Sequence, residues 1–212
     1  MKKLLTTVAM LAAFTVSASA TTISWNFGEH GFGALPNVQA FDSGGFFLSA
    51  RGFDPSDHGT ALFSKNGGTN EVGLGLVDDP SHEDEITGNN FIQLNMDGLR
   101  TLLTNFQFSM SSVDNQEGWK VFGSNDDHPF QFTLLASSGG LLDNSVHSLA
   151  DGWDNYNFFY SGGVTGSSNV LLHSFSADVV AQTPLPASLP FFGAGLVGLV
   201  ALVRKRKSNR LA

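Results

Sequence analysis

Phe106-Gln107-Phe108-Ser109-Met110 sets a large apolar side chain at every second position and a polar one between. Successive side chains of an extended strand point to opposite faces, so this run buries one face and wets the other. The same pattern recurs on either side. Phe132 and Leu134 alternate with Gln131 and Thr133, and Leu171, Phe175, Ala177 and Val179 share one phase with His173. Shorter apolar-rich segments follow the same grammar: Thr22–Phe27, Phe46–Arg51, Val72–Val77, Phe91–Asn95, Trp119–Gly123 and Tyr156–Tyr160. Clusters of Gly, Asn, Asp and Ser separate them. No long stretch combines a 3.6-residue apolar period with helix caps. Many short strands without interleaved helices predict an all-β body over residues 21–180, an antiparallel β-sandwich or jelly roll.

Composition agrees with one such domain. The chain has 212 residues, 42% of them apolar, with 19 phenylalanines but only two tyrosines. That balance puts most of the aromatic material in a core rather than on a wet surface. There is no cysteine, which removes a disulfide framework, a thiolate metal site and a cysteine nucleophile. The formal net charge is -8. All 19 acidic residues fall between Glu29 and Asp178, where only Arg51, Lys65, Arg100 and Lys120 oppose them. A body this acidic lacks the basic footprint that nucleic acid requires.

The ends carry different chemistry. Met1-Lys2-Lys3 is a short positive start, and Leu4 to Val16 is apolar apart from Thr6, Thr7 and Thr15. Ala18-Ser19-Ala20 then supplies small residues where a signal peptidase reads. This three-part order predicts a secretory signal over 1–20, cleaved after Ala20. The apolar part is too short for a stable membrane span. At the other end, Thr183-Pro184-Leu185-Pro186-Ala187-Ser188 precedes the uncharged run LPFFGAGLVGLVALV (189–203), which the cluster Arg204-Lys205-Arg206-Lys207 closes. A helix from Leu185 to Val203 would be roughly 28 Å long, close to the hydrocarbon thickness of a bilayer. We expect a transmembrane helix at about 187–203, with its basic flank inside and everything before Pro184 outside. That orientation agrees with the independent reading of the N-terminus. Pro184 and Pro186 keep their stretch extended, as a processing enzyme would need. The plainer alternative is a single-pass anchor.

The order of a PLPA motif, a glycine-bearing apolar helix and an Arg/Lys cluster resembles the PEP-CTERM sorting tail in its VPLPA variant, with Thr183 in place of the usual valine. The resemblance covers residues 183–207. It implies recognition, and cleavage near Pro184–Ala187, by an exosortase-type membrane enzyme. It also implies an exopolysaccharide-associated envelope: inner-membrane anchoring at least in transit, a periplasmic body, then the cell surface or matrix. Within the body, Gly73-Leu74-Gly75-Leu76, Phe91-Ile92-Gln93-Leu94, Phe106–Met110 and Trp119-Lys120-Val121-Phe122-Gly123-Ser124 resemble a galactose-binding-like jelly roll.

The body carries no G-x-S-x-G elbow, no H-E-x-x-H and no P-loop, and its six histidines are scattered. Its densest titratable cluster is Asp78, Asp79, Glu83, Asp84 and Glu85, hard oxygen ligands of the kind calcium prefers. The spacing is not that of an EF-hand, and a solvated acidic loop is the simpler explanation. Asp126-Asp127 is a second acidic pair that could contribute. Trp119 and Trp153, with Tyr156 and Tyr160, are candidates to stack on sugar rings, against the alternative of core packing. The expectation is therefore an exported, non-catalytic envelope or matrix protein with no required cofactor. Signal peptidase, the membrane, an exosortase-type enzyme and exopolysaccharide are its partners. A carbohydrate-binding module and a polysaccharide hydrolase are the alternatives.

Overall fold

The computed structural model describes residues 20–180 except 55, 57, 69, 78–81, 89, 114–116, 128–131, 139–144, 150–154 and 166. The strands, in chain order, are β1 (Thr22–Asn26), β2 (Gly33–Leu35), β3 (Val38–Ser43), β4 (Phe46–Phe53), β5 (Gly59–Thr60), β6 (Leu62–Asn66) and β7 (Val72–Leu76). They continue as β8 (Phe91–Asn95), β9 (Leu103–Ser111), β10 (Trp119–Ser124), β11 (Thr133–Ser137), β12 (Val146–Ser148), β13 (Phe158–Gly163) and β14 (Leu171–Val179). A 3-10 turn, Phe27–His30, follows β1.

The strands form two antiparallel sheets packed face to face, a β-sandwich. One sheet runs β12-β9-β14-β7-β6-β2, with β1 also on β14. The other runs β11-β10-β13-β8-β4-β3, with β5 also on β4. Long β14 holds β9 along one edge, while its other edge pairs with β7 at Leu172 and with β1 from Ser174 to Asp178. Strands β7 to β14 pass between the sheets in a nested order. β7, β14, β9 and β12 are neighbours in one, and β8, β13, β10 and β11 are neighbours in the other.

Alternation explains the core. Phe106, Phe108 and Met110 of β9 all point inward, as do Leu74 and Leu76 of β7, Ile92 and Leu94 of β8, and Trp119 and Val121 of β10. The sheets meet through rings. Phe108 lies edge-on to Trp119 at 5.1 Å and tilted to Phe159 at 5.6 Å, and Phe159 lies 5.2 Å from Phe175. Each such ring contributes about 1.5–3 kcal/mol by leaving water.

Two expected phases are corrected. In β11 the inward residues are Leu135 and Ala136, while Leu134 is 56% exposed. The irregular pairing between Val121 and Phe122 of the neighbouring strand accompanies this change. In β14 strict alternation breaks at His173. The register against β9 slips between Leu172 and Ser174, so Leu172 and Phe175, three apart, both reach the core. A bulge inserts one residue and reverses the phase beyond it. His173 then spends its imidazole on the backbone: Nδ1 donates to the Val72 carbonyl at 2.8 Å.

Candidate functional site

Among the described residues, a buried ion pair and an open hollow gather polar chemistry. The first grows from Gly73-Leu74-Gly75-Leu76. Its leucines enter the core, which turns its glycines to the outer face of the sheet. A glycine inside a strand marks a close approach of another backbone. A Cβ on Gly75 would lie 2.0 Å from the Asp84 carbonyl oxygen, so the 82–85 loop lies directly on β7. That loop is tightly wound, with φ of 61° at His82 and 60° at Asp84. It delivers Glu85, only 1% exposed, to Lys65 of β6, whose Nζ is 2.6 Å from Oε1. Ser112 Oγ donates to the same oxygen at 2.7 Å, and Lys65 also donates to the Glu83 carbonyl at 3.2 Å. Glu85 Oε2 is buried without a hydrogen-bond partner. Burial holds the Glu85 carboxyl above its ordinary range, although Lys65 and Ser112 pull the other way. Burial alone would lower the Lys65 ammonium, but Glu85 and Glu71 offset it and keep the group raised.

The hollow lies where β10 ends and β13 begins. It measures about 590 Å³, within the range of small-ligand clefts, and is lined by Ser124, Asn125, Asp126, Asp127, Tyr156 and Phe158. Pairing of Ser124 with Phe158 joins the two segments. Gly123 provides the seat for Tyr156: a Cβ there would come within 2.4 Å of the ring, so any side chain would displace it. The 124–127 loop is tied down through the backbone of Asp126 and Asp127 and the side chain of Asn125. Asp126 N–H donates to Ser124 Oγ at 3.0 Å, and Asn157 N–H donates to Asn125 Oδ1 at 3.0 Å. The buried Tyr160 hydroxyl donates to the Asp126 carbonyl at 3.0 Å, and Gln93 Nε2 donates to the Asp127 carbonyl at 2.8 Å. Asn125, Asp126 and Asp127 are themselves exposed at the rim.

The structure redistributes the residues singled out in the sequence. Trp119 is not a stacking platform: it is 2% exposed, and its indole packs against Phe108 and, at 4.7 Å, His147. It shares its inward phase with Val121, a signal legible in the alternation. Trp153 lies outside the described residues. Tyr160 is fully buried and serves as an anchor for the loop. Tyr156, by contrast, reaches the hollow beside Asp126 and Asp127.

Asp78 and Asp79 lie outside the described residues, and Glu85 is turned inward onto Lys65. The Glu83 carboxylate accepts from Asn169 Nδ2 at 3.2 Å, and the Asp84 carbonyl rests on Gly75. Among the described residues no group of three or more His, Asp or Glu side chains is placed to hold a metal ion. Asp126 and Asp127 leave one short loop side by side, whereas a glycosidase pair faces across a cleft.

Ala18, Pro184, Leu185, Pro186, Ala187 and Arg204-Lys205-Arg206-Lys207 all lie outside the described residues. Among those described, no helix is long and apolar enough to cross a membrane. No known family model matches the chain, and no curated protein matches it.

Proposed function

We propose that this chain is an exported, non-catalytic protein of the envelope or extracellular matrix, whose β-sandwich is delivered by an N-terminal signal and sorted through its C-terminal tail. One observation carries the reading: Pro184-Leu185-Pro186-Ala187, the uncharged 189–203 run and Arg204–Lys207 follow in that order, in the orientation that a signal over 1–20 would establish. Signal peptidase and an exosortase-type membrane enzyme are the partners this implies, and exopolysaccharide is the surrounding material. The nested order of β7 to β14 favours a jelly roll, the finer form of the sandwich and one compatible with a galactose-binding-like body. The cysteine-free, acidic composition suits a soluble exported domain whose stability comes from its aromatic core.

Immunoblot sizing and fractionation of cells that make the protein, with and without Pro184–Ala187, tests the proposal. The expected result is a shortened, released product that depends on that segment. Full-length protein with Met1 retained, found in the cytosol, would overturn export. Full-length protein held in the inner membrane regardless of the segment would reduce the tail to an anchor.

A further inference from the structure

We propose that the hollow at the end of β10 and β13 is a binding site for a neutral glycan, with a sugar ring resting against Tyr156 and its hydroxyls bonded to Asp126, Asp127 and Asn125. This goes beyond the sorting proposal and stands on the body alone. The lining combines two aromatic residues, Tyr156 and Phe158, with two carboxylates, an amide and a hydroxyl. A pyranose matches that mixture. Its axial C–H groups form an apolar face that seats on the negative face of an aromatic ring, and its equatorial hydroxyls are donors suited to carboxylate acceptors.

Other ligand classes fit less well. Two carboxylates in a body of net negative charge repel phosphates, nucleotides and uronic acids. A lipid chain would leave those carboxylates desolvated and unpaired. Among the described residues, a bare cation would find two adjacent acidic side chains and no group of three ligands.

The site is also built before the ligand arrives. Gly123 fixes the Tyr156 ring, three hydrogen bonds from β8, β10 and β13 hold the backbone of Asp126 and Asp127, and Asn157 N–H holds the Asn125 side-chain oxygen. Pre-organisation of this kind reduces the entropy lost on binding.

Saturation-transfer NMR and calorimetry on the purified full chain, against a panel of neutral gluco-, galacto-, manno- and chito-oligosaccharides with an oligouronate as control, provide the test. At least one neutral oligosaccharide should bind with Kd of about 1 mM or tighter. Y156A should weaken it about tenfold. D126N/D127N, which replaces exposed carboxylates by amides of the same shape while the Tyr160 and Gln93 anchors remain, should weaken it by a similar factor. The proposal is overturned if no neutral member binds, if the oligouronate binds as tightly, or if D126N/D127N binds like the parent. None of these outcomes bears on cleavage or release of the tail, so failure here is separable from failure of the sorting proposal.

Discussion

Replacing Lys65 of β6 by methionine keeps a straight apolar side chain of similar length and deletes the ammonium, with its bonds to Glu85, Glu71 and the Glu83 carbonyl. It leaves Glu85 with its carboxylate buried, Oε1 holding a single bond from Ser112 and Oε2 holding none. Removing one partner of a buried ion pair costs about 3–5 kcal/mol, because the remaining charge has lost both water and counter-ion. For a body of this size that is a fall of roughly 6–20 °C in melting temperature. The pH dependence separates this cause from simple loss of packing. Burial raises Glu85, and in K65M the charge and hydrogen bond that opposed burial are gone, so its folded pKa climbs further above the unfolded value. A group raised on folding adds stability below its unfolded pKa and loses it as pH rises through the folded pKa. The K65M deficit should therefore be smallest near about pH 5 and grow toward about pH 8. Urea melts of parent and variant across that range supply the measurement, and K65M/E85L should recover most of the loss. A K65M deficit below about 1 kcal/mol, typical of an exposed pair, would refute the reasoning, as would one that does not change with pH.

Gly75→Ala should destabilise by about 1–3 kcal/mol, since the new methyl meets the Asp84 carbonyl rather than a yielding side chain. Thermal melts would show the loss, and a drop well under that range would mean the 82–85 loop is not seated on β7. Tyr160→Phe removes a hydroxyl that donates to Asp126 O and accepts from Gln93 Nε2 at 2.6 Å. It should cost about 1–3 kcal/mol and speed amide exchange at Asn125–Asp127 more than elsewhere. For His147, burial holds the imidazole below its ordinary 6.5, so the unfolded chain takes up a proton that the fold resists. Its contribution to stability is complete above 6.5 and is lost as pH falls through the lowered folded value, and His147→Phe should abolish this part of the slope in acid melts.

What was legible in the sequence was whatever depends on period two. Phe106–Met110, Phe91–Asn95 and Trp119–Gly123 fall on strands because one face of each is continuous core. The strands the reading passed over, β2, β3, β5, β6 and β12, are short or lie toward the margins. In β3 only Phe41 is fully buried, and the strand owes its conformation to six residues of β4 beside it. Pairing of that kind is a tertiary fact, invisible in local pattern. Bulges are equally silent. Nothing in Leu171-Leu172-His173-Ser174 announces that His173 is the extra residue, and the inferred phase failed there.

The two polar sites illustrate the same division. Tyr156 and Asp126 are thirty residues apart, and only the β10–β13 register, Ser124 opposite Phe158, makes them neighbours. Glu85 read as the end of an acidic run, and nothing local distinguished it from its four neighbours, although two features of its surroundings bear on it. The Gly-Leu-Gly-Leu alternation of β7 offers a bare face on which a loop can lie. Lys65 is one of four cations among nineteen acids in that stretch of chain, and it sits one strand away from that face. A rare cation in a strand beside a glycine-faced strand is positioned to serve as countercharge for a carboxylate taken out of water. The cation had to be matched to one acid among five in the cluster, and that match is set by where the wound turn at His82 and Asp84 delivers the next residue. Spacing along the chain gives no hint of it, because the turn is seated on β7, with the Asp84 carbonyl against Gly75.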